Sequence, residues 1–160
     1  MLDKAVQLLA QRNHSSHELK QKLTQFCFKK SLQLSCFSPQ EVVSHIDQVV
    51  ELCVAKRWLD DKLYIEQYID LRIRKGYGKA RILKELEQKG LDDNTLNQAI
   101  IDEKNLDWLE LGSKQLLKKF KNIDKTDIKQ KAKVYQFLAY KGFSHDEISA
   151  IYKYTLSLSL

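Results

Sequence analysis

The sequence predicts an all-α protein, and three observations carry that prediction. Only one proline and five glycines interrupt 160 residues. Leu, Lys, Glu, Gln and Ala, which lose least on entering a helix, are abundant. A capping residue set between two apolar residues, the second five positions after the first, recurs along the whole chain and marks helix starts.

Taken in order, these starts give nine helices. The first begins near Asp3 and carries Ala5, Leu8 and Leu9 as one stripe. His14-Ser15 leads to Leu19 and opens the second, with Leu23 and Phe26 behind it. Phe37-Ser38 leads to Val42 and opens the third, whose stripe is Val42, Ile46, Val49 and Cys53. Between them FCFKKSLQLSCF is irregular, and 26–37 reads either as an extension of the second helix or as an apolar loop. Leu59-Asp60 leads to Tyr64, Tyr77-Gly78 to Ile82 with Leu86 following, and Leu91-Asp92 to Leu96. Leu106-Asp107 leads to Leu111, where Gly112 interrupts the pattern. Ile123-Asp124 leads to Ile128, with a stripe of Ile128, Ala132, Tyr135 and Ala139, and Phe143-Ser144 leads to Ile148. Three starts spell a full capping box, Ser15 with Glu18, Ser38 with Glu41 and Ser144 with Glu147, in which each partner satisfies an orphan backbone donor. Pro39 at the first helical position strengthens the second. The closing TLSLSL alternates with period two and reads as a frayed end or a short packed tail.

The junctions share a spelling: a basic residue, often glycine, then an apolar residue and a cap. Lys75-Gly76-Tyr77-Gly78, Lys89-Gly90-Leu91-Asp92 and Lys141-Gly142-Phe143-Ser144 have it, and Arg57-Trp58-Leu59-Asp60 has it without glycine. Glycine past a helix end supplies a left-handed residue, and the preceding cation meets the negative end of the helix dipole. Gly-Tyr-Gly-Lys at 76–79 is therefore a joint between helices. It follows no strand, and the chain lacks the phosphate loop spelling G-x-x-x-x-G-K-[ST]. Grouped by threes, the helices form three tandem three-helix repeats, at 1–57, 58–105 and 106–160, in an elongated, curved molecule.

Little here suggests chemistry. No apolar run reaches the ~18 residues of a membrane span, and MLDKAVQLLAQRN lacks the order of a signal peptide, so a soluble cytoplasmic protein is expected. Cys27, Cys36 and Cys53 lack C-x-x-C spacing and read as buried reduced thiols. Asp60-Asp61 and Asp92-Asp93 could hold a divalent metal but sit at helix starts, where capping explains them. His14 and His17 have ligand spacing without a further ligand nearby. No G-x-S-x-G occurs and no cysteine has a local base. The expectation is a protein without catalytic residues, metal or cofactor.

Charge is what remains. The net charge of +6 comes in blocks: residues 71–90 hold seven Lys or Arg against two Asp or Glu, and 114–133 hold eight against two. Residues 91–113 hold one against six, and 38–70 three against seven. Arg72, Arg74, Lys75, Lys79, Arg81 and Lys84 gather about Tyr77, and Lys118, Lys119 and Lys121 head the second run. Such groups neutralise phosphates without reading bases, which makes weak, sequence-independent contact with single-stranded DNA an expectation. A solvated lysine-rich face also accounts for the second run. Arginine beside Tyr77 favours the first, because a guanidinium forks onto phosphate and stacks on a ring.

Trp58-Leu59-Asp60-Asp61, Tyr64, Tyr68, the run from Arg72 to Gly78, Arg81-Ile82, Glu85-Leu86 and Lys89-Gly90-Leu91 together resemble the central signature of the bacterial RecX proteins, regulators of the RecA recombinase. Ala5, Leu8-Leu9, Arg12, His14-Ser15, Glu18-Leu19 and Lys22-Leu23 are similar to the family's amino-terminal pattern. Phe137-Leu138, Lys141-Gly142-Phe143-Ser144 and Ile148 are similar to its carboxyl-terminal one. The resemblance implies three tandem three-helix repeats and a non-enzymatic monomer lying in the groove of the RecA filament on single-stranded DNA. It also implies suppression of filament growth, ATP hydrolysis and strand exchange, tempering recombination and the SOS response. The RecA and DNA contact candidates are Arg72, Arg74, Lys75, Tyr77, Lys79, Arg81, Lys84, Lys118, Lys119 and Lys121. The departures are the longer, more apolar connection at 24–38 and Gly112. The rival expectation is a helical repeat protein that binds nucleic acid without a RecA role.

Overall fold

The computed structural model describes residues 1–31, 38–91, 96, 107–121 and 123–158. Among them are eight helices and no strand: α1 (Leu2–Gln11), α2 (Ser16–Ser31), α3 (Pro39–Ala55), α4 (Asp61–Arg74), α5 (Lys79–Glu87), α6 (Trp108–Lys119), α7 (Ile128–Lys141) and α8 (His145–Leu158). The helix expected from Asp92 lies outside the described residues except for Leu96, which is helical and buried.

Most starts fall where capping places them. Ser38 and Glu41 close a full box, and Ser144 with Glu147 does the same, each backbone N–H meeting the other's side chain. At Ser15 only half the box forms. Its hydroxyl accepts from Glu18 N–H at 3.1 Å, while the Glu18 carboxylate is drawn to Arg12 instead. Asp60 and Asp107 cap α4 and α6 through their carboxylates. The cap of α7 is Asp127, not Asp124, because Asp127 accepts from Lys129 and Gln130 N–H at 2.9 and 3.0 Å. Asp124 instead turns back onto Thr126. The buried face of α7 also differs from the expected stripe: Ile128 is 83% exposed, and Val134 and Leu138 fill the core in place of Ile128, Ala132 and Ala139. The irregular connection resolves in part as helix, α2 continuing to Ser31, and 32–37 with Cys36 lies outside the described residues.

Three apolar clusters organise the helices. The first joins α1, α2 and α3 about Leu19, Leu23, Ile46 and Cys53, and Leu59 packs into it and not with Tyr64. The second gathers Ile65, Ile69, Ile82, Leu86 and Leu96 from α4, α5 and beyond. The third gathers Leu116, Val134, Leu138, Ile148 and Ile151 from α6, α7 and α8. Trp108 touches both of the last two. Gly112 does not interrupt α6. It lies buried within the helix, where a Cβ would fall 2.4 Å from Ile151 Cδ1, so glycine lets α8 approach. Residues 155–158 of TLSLSL continue α8 and do not alternate, Thr155 being buried with its hydroxyl donating to Ile151 O at 2.7 Å, while 159–160 lie outside the described residues.

The shared junction spelling has a common geometry. After α4, Gly76 adopts φ 74°, with Gly76 N–H donating to Ile73 O and Tyr77 N–H to Arg72 O. After α3 the same pair of bonds forms, Arg57 to Val54 and Trp58 to Cys53, but the left-handed residue is Arg57 itself at φ 56°. A side chain there costs about 1–2 kcal/mol, of which glycine's greater chain entropy would give back about half. Arg57→Gly should therefore raise stability by about 0.5–1 kcal/mol, read as a higher urea midpoint.

Joints also connect the groups. Ser15, in the turn after α1, donates to the carbonyl of Lys89 in the turn after α5, while Ser16 N–H donates to Asp61. Gly78, in the turn after α4, donates its N–H to the carbonyl of Lys141 at 2.8 Å, where α7 ends. In both cases the acceptor belongs to the lysine preceding a left-handed glycine, Gly90 or Gly142. One turn of each group thus rests on a later turn of the next.

Candidate functional site

Lys141, the acceptor in the second of these contacts, also lines a cleft of about 590 Å³, together with Arg74, Lys75, Tyr77, Gln115, Lys118, Lys119 and Phe137. The last turn of α4 supplies Arg74, and the left-handed turn after it swings Lys75 and Tyr77 to the rim. On α6, Gln115, Lys118 and Lys119 are spaced three and four apart and share a face. On α7, Phe137 and Lys141 do likewise. The two basic blocks, forty residues apart along the chain, thereby meet at one place.

Lys141 ties the two sides together. Its ammonium donates to Lys75 O at 3.0 Å and lies 4.7 Å from the Tyr77 ring centre. Burial pushes its pKa below the usual lysine range, and the Arg81 charge pushes it further. Arg74 pairs with Asp70 at 2.8 Å. Among the described residues no carboxylate lines the cleft, and none lies within ion-pair distance of Lys75, Lys118, Lys119 or Lys141. Its surface field is positive and suited to phosphate.

Arg72 and Arg81 have another occupation. Arg72 pairs with Glu85 at 2.8 Å and donates to the Tyr68 hydroxyl, which in turn donates to Glu85. Arg81 pairs with the other Glu85 oxygen at 3.0 Å, reaches Tyr140 O at 2.8 Å and lies 4.3 Å from the Tyr77 ring centre. These guanidinium groups brace the joint behind the cleft. Lys79, Lys84 and Lys121 are exposed but lie outside its lining. Gln115, Phe137 and Lys141 are functional candidates that charge blocks alone miss. The signal that would find Lys141 is its place before Gly142, matching Lys75 before Gly76.

Burial opposes ionisation of Glu85, but hydrogen bonds from Arg81 and Tyr68 and the charges of both arginines outweigh it and hold its pKa below the usual carboxylate range. A depressed folded value contributes stability above the unfolded value near 4.3, lost as pH falls through the folded one. Glu85→Gln should cost about 2 kcal/mol at neutral pH, the scale of hydrogen bonds to a charged group. In urea unfolding its deficit against the unsubstituted protein should shrink toward pH 3; a constant deficit would mean that the charge of Glu85 contributes nothing.

The remaining sequence candidates have structural places. His14 is buried with Nδ1 2.7 Å from Arg12 O, and His17 bonds Gln21. Asp60 caps α4, and Asp61 accepts from Ser16. Cys53 is buried and Cys27 half-buried, both as free thiols.

Family models for the second and third three-helix domains of RecX match residues 60–100 and 106–151. The regulatory protein RecX of Serratia proteamaculans is 40% identical over 162 aligned residues, covering 96% of each chain. This chain belongs to the RecX family. The regulatory protein RecX of Yersinia enterocolitica is 38% identical and covers 95% of each chain. A crystal structure of RecX from Lactobacillus salivarius aligns with a TM-score of 0.69 at 21% identity, covering 96% of this chain and 93% of that one. A second RecX crystal structure gives 0.70 at 20% identity, over 95% and 70%. These structures show a shared all-α repeat fold, and the name of the sequence relatives is that of regulatory proteins, not of enzymes.

Proposed function

We propose that this RecX-family protein regulates the RecA recombinase by binding its filament on single-stranded DNA. As a cytoplasmic monomer it inhibits filament growth, ATP hydrolysis and strand exchange, and so modulates recombination, DNA repair and the SOS response. The observation that carries the reading, beside family membership, is the cleft that draws Arg74, Lys75, Lys118, Lys119 and Lys141 onto one surface. Single-stranded DNA within a filament offers phosphates at close spacing, and Lys75, Lys118 and Lys119, which have no carboxylate partner among the described residues, neutralise them at little desolvation cost. The acidic stretches 38–70 and 91–113 carry charge that suits basic patches of a protein partner.

The test is the single-strand-dependent ATPase of RecA from the same organism, titrated with this protein at physiological salt. Inhibition well below one copy per RecA supports action on filament growth, and inhibition only near saturation supports coating of the groove. Binding to bare strands without any inhibition would replace the proposal with a nucleic-acid-binding repeat protein lacking a RecA role.

A further inference from the structure

We infer that the cleft takes the sugar-phosphate chain of a single strand and no base, and that the bound chain bridges the second and third helix groups. This rests on the DNA contact proposed above and specifies how it is made. Two aromatic rings line the cleft, and aromatic rings are where unpaired bases ordinarily stack. Here they are already engaged. Tyr77 has the Arg81 guanidinium 4.3 Å and the Lys141 ammonium 4.7 Å from its ring centre, and Arg72 at 5.4 Å. Phe137 meets Phe120 edge-on at 5.9 Å and has the Lys141 ammonium at 5.8 Å. A base on Tyr77 would have to displace cations that are themselves anchored, Arg81 by Glu85 and Tyr140 and Lys141 by the Lys75 carbonyl.

A phosphate displaces nothing. Lys75 stands on the second group, and Lys118 and Lys119 stand on the third. These like charges confront one another across a joint, and a polyanion between them converts repulsion into two attractions. The backbone bond of that joint, Gly78 N–H to Lys141 O, joins the residue after Tyr77 to Lys141, both of which line the cleft, so a chain held across the cleft should restrain that bond.

The experiment compares a short oligo(dT) with an abasic deoxyribose-phosphate strand of the same length, by anisotropy competition at physiological salt. Hydrogen exchange at the Gly78 amide is followed alongside. The two strands should bind within about twofold of each other, since a stacked base would add about fivefold or more. Lys75→Gln and Lys119→Gln should each flatten the salt dependence by about 0.7 in log–log slope, equally for both strands. Either strand should slow exchange at Gly78. Oligo(dT) binding that exceeds abasic binding by fivefold or more would overturn the inference and leave the DNA contact standing. Unchanged exchange at Gly78 with both strands bound would overturn the bridge. Binding of neither strand would remove the inference and the DNA contact together.

Discussion

Reversing Lys118 and Lys119 to glutamate together should weaken binding to single-stranded DNA and to RecA filaments at least about tenfold at physiological salt, with helical content unchanged. Both side chains are exposed on the last turn of α6 and line the cleft, and no carboxylate holds either among the described residues. Each phosphate left without its lysine lowers the salt slope for a single strand by about 0.7, so the pair should remove about 1.4, and the new negative charges repel what remains. Both lysines lie in the last turn, so reversing them also gives up about 0.3–1 kcal/mol each of interaction with the helix dipole, too little to unfold the protein. Circular dichroism and a salt titration of affinity check both halves. Full affinity in the double variant would exclude the cleft as the binding surface. Arg72→Glu with Arg81→Glu makes an unsuitable substitute, because both arginines grip Glu85 and the joint itself would be lost along with any binding.

Helix starts are legible wherever a side chain both caps and sits between apolar neighbours. Ser38, Asp60, Asp107 and Ser144 stand where that rule puts them. The rule fails at α7, where Asp124 and Asp127 are rival caps three residues apart. The winner accepts two backbone N–H groups, a preference of local geometry that apolar spacing does not encode. The core-facing stripe of α7 is misread as well, Val134 and Leu138 being buried and Ile128 exposed, because Val134 stands beside Tyr135 and apolar spacing fits either face. Gly112 reads as a break for a related reason: a sequence shows the missing side chain but not the Ile151 that comes to occupy its place.

The site is legible as charge and not as geometry. Two basic blocks can be read from composition, yet which of their cations are free depends on where the acids fall. Glu85 is one helical turn from Arg81, and the fold also brings it against Arg72 and Tyr68 on α4. That single carboxylate takes the two arginines nearest Tyr77 out of the binding surface, and the lysines around them become its edge. The joint spelling, in contrast, carries more than helix termination. Lysine before a left-handed glycine ends a helix and also offers the carbonyl on which a preceding group rests, at Lys89 and again at Lys141.

Gly78→Ala should cost more stability than Gly112→Ala, although both glycines are buried. At Gly78 the backbone is already extended, φ −80° and ψ 163°, so alanine meets no conformational strain there. Its Cβ would lie 2.5 Å from Gly142 O and 2.6 Å from Gly142 C, and those backbone atoms cannot rotate away. The turns must separate, stretching the Gly78 N–H bond to Lys141 O. Overpacking costs about 1–3 kcal/mol and a weakened buried hydrogen bond about 1 more, which gives about 2–4 kcal/mol in all. At Gly112 the new Cβ meets only a side chain, Ile151, with Cδ1 at 2.4 Å and Cγ1 at 2.9 Å, which can give by small shifts where a backbone carbonyl cannot, and alanine within a helix recovers up to about 1 kcal/mol of propensity. The net cost there should be about 0–2 kcal/mol. Urea unfolding of the two variants ranks them. The ordering matters for function because parting Gly78 from Lys141 also draws Lys75 away from Lys118 and Lys119. Gly78→Ala should therefore lose DNA affinity in step with stability, and Gly112→Ala should keep it. Equal affinity in both variants, with the stability order as stated, would mean that the joint holds the groups together without shaping the cleft.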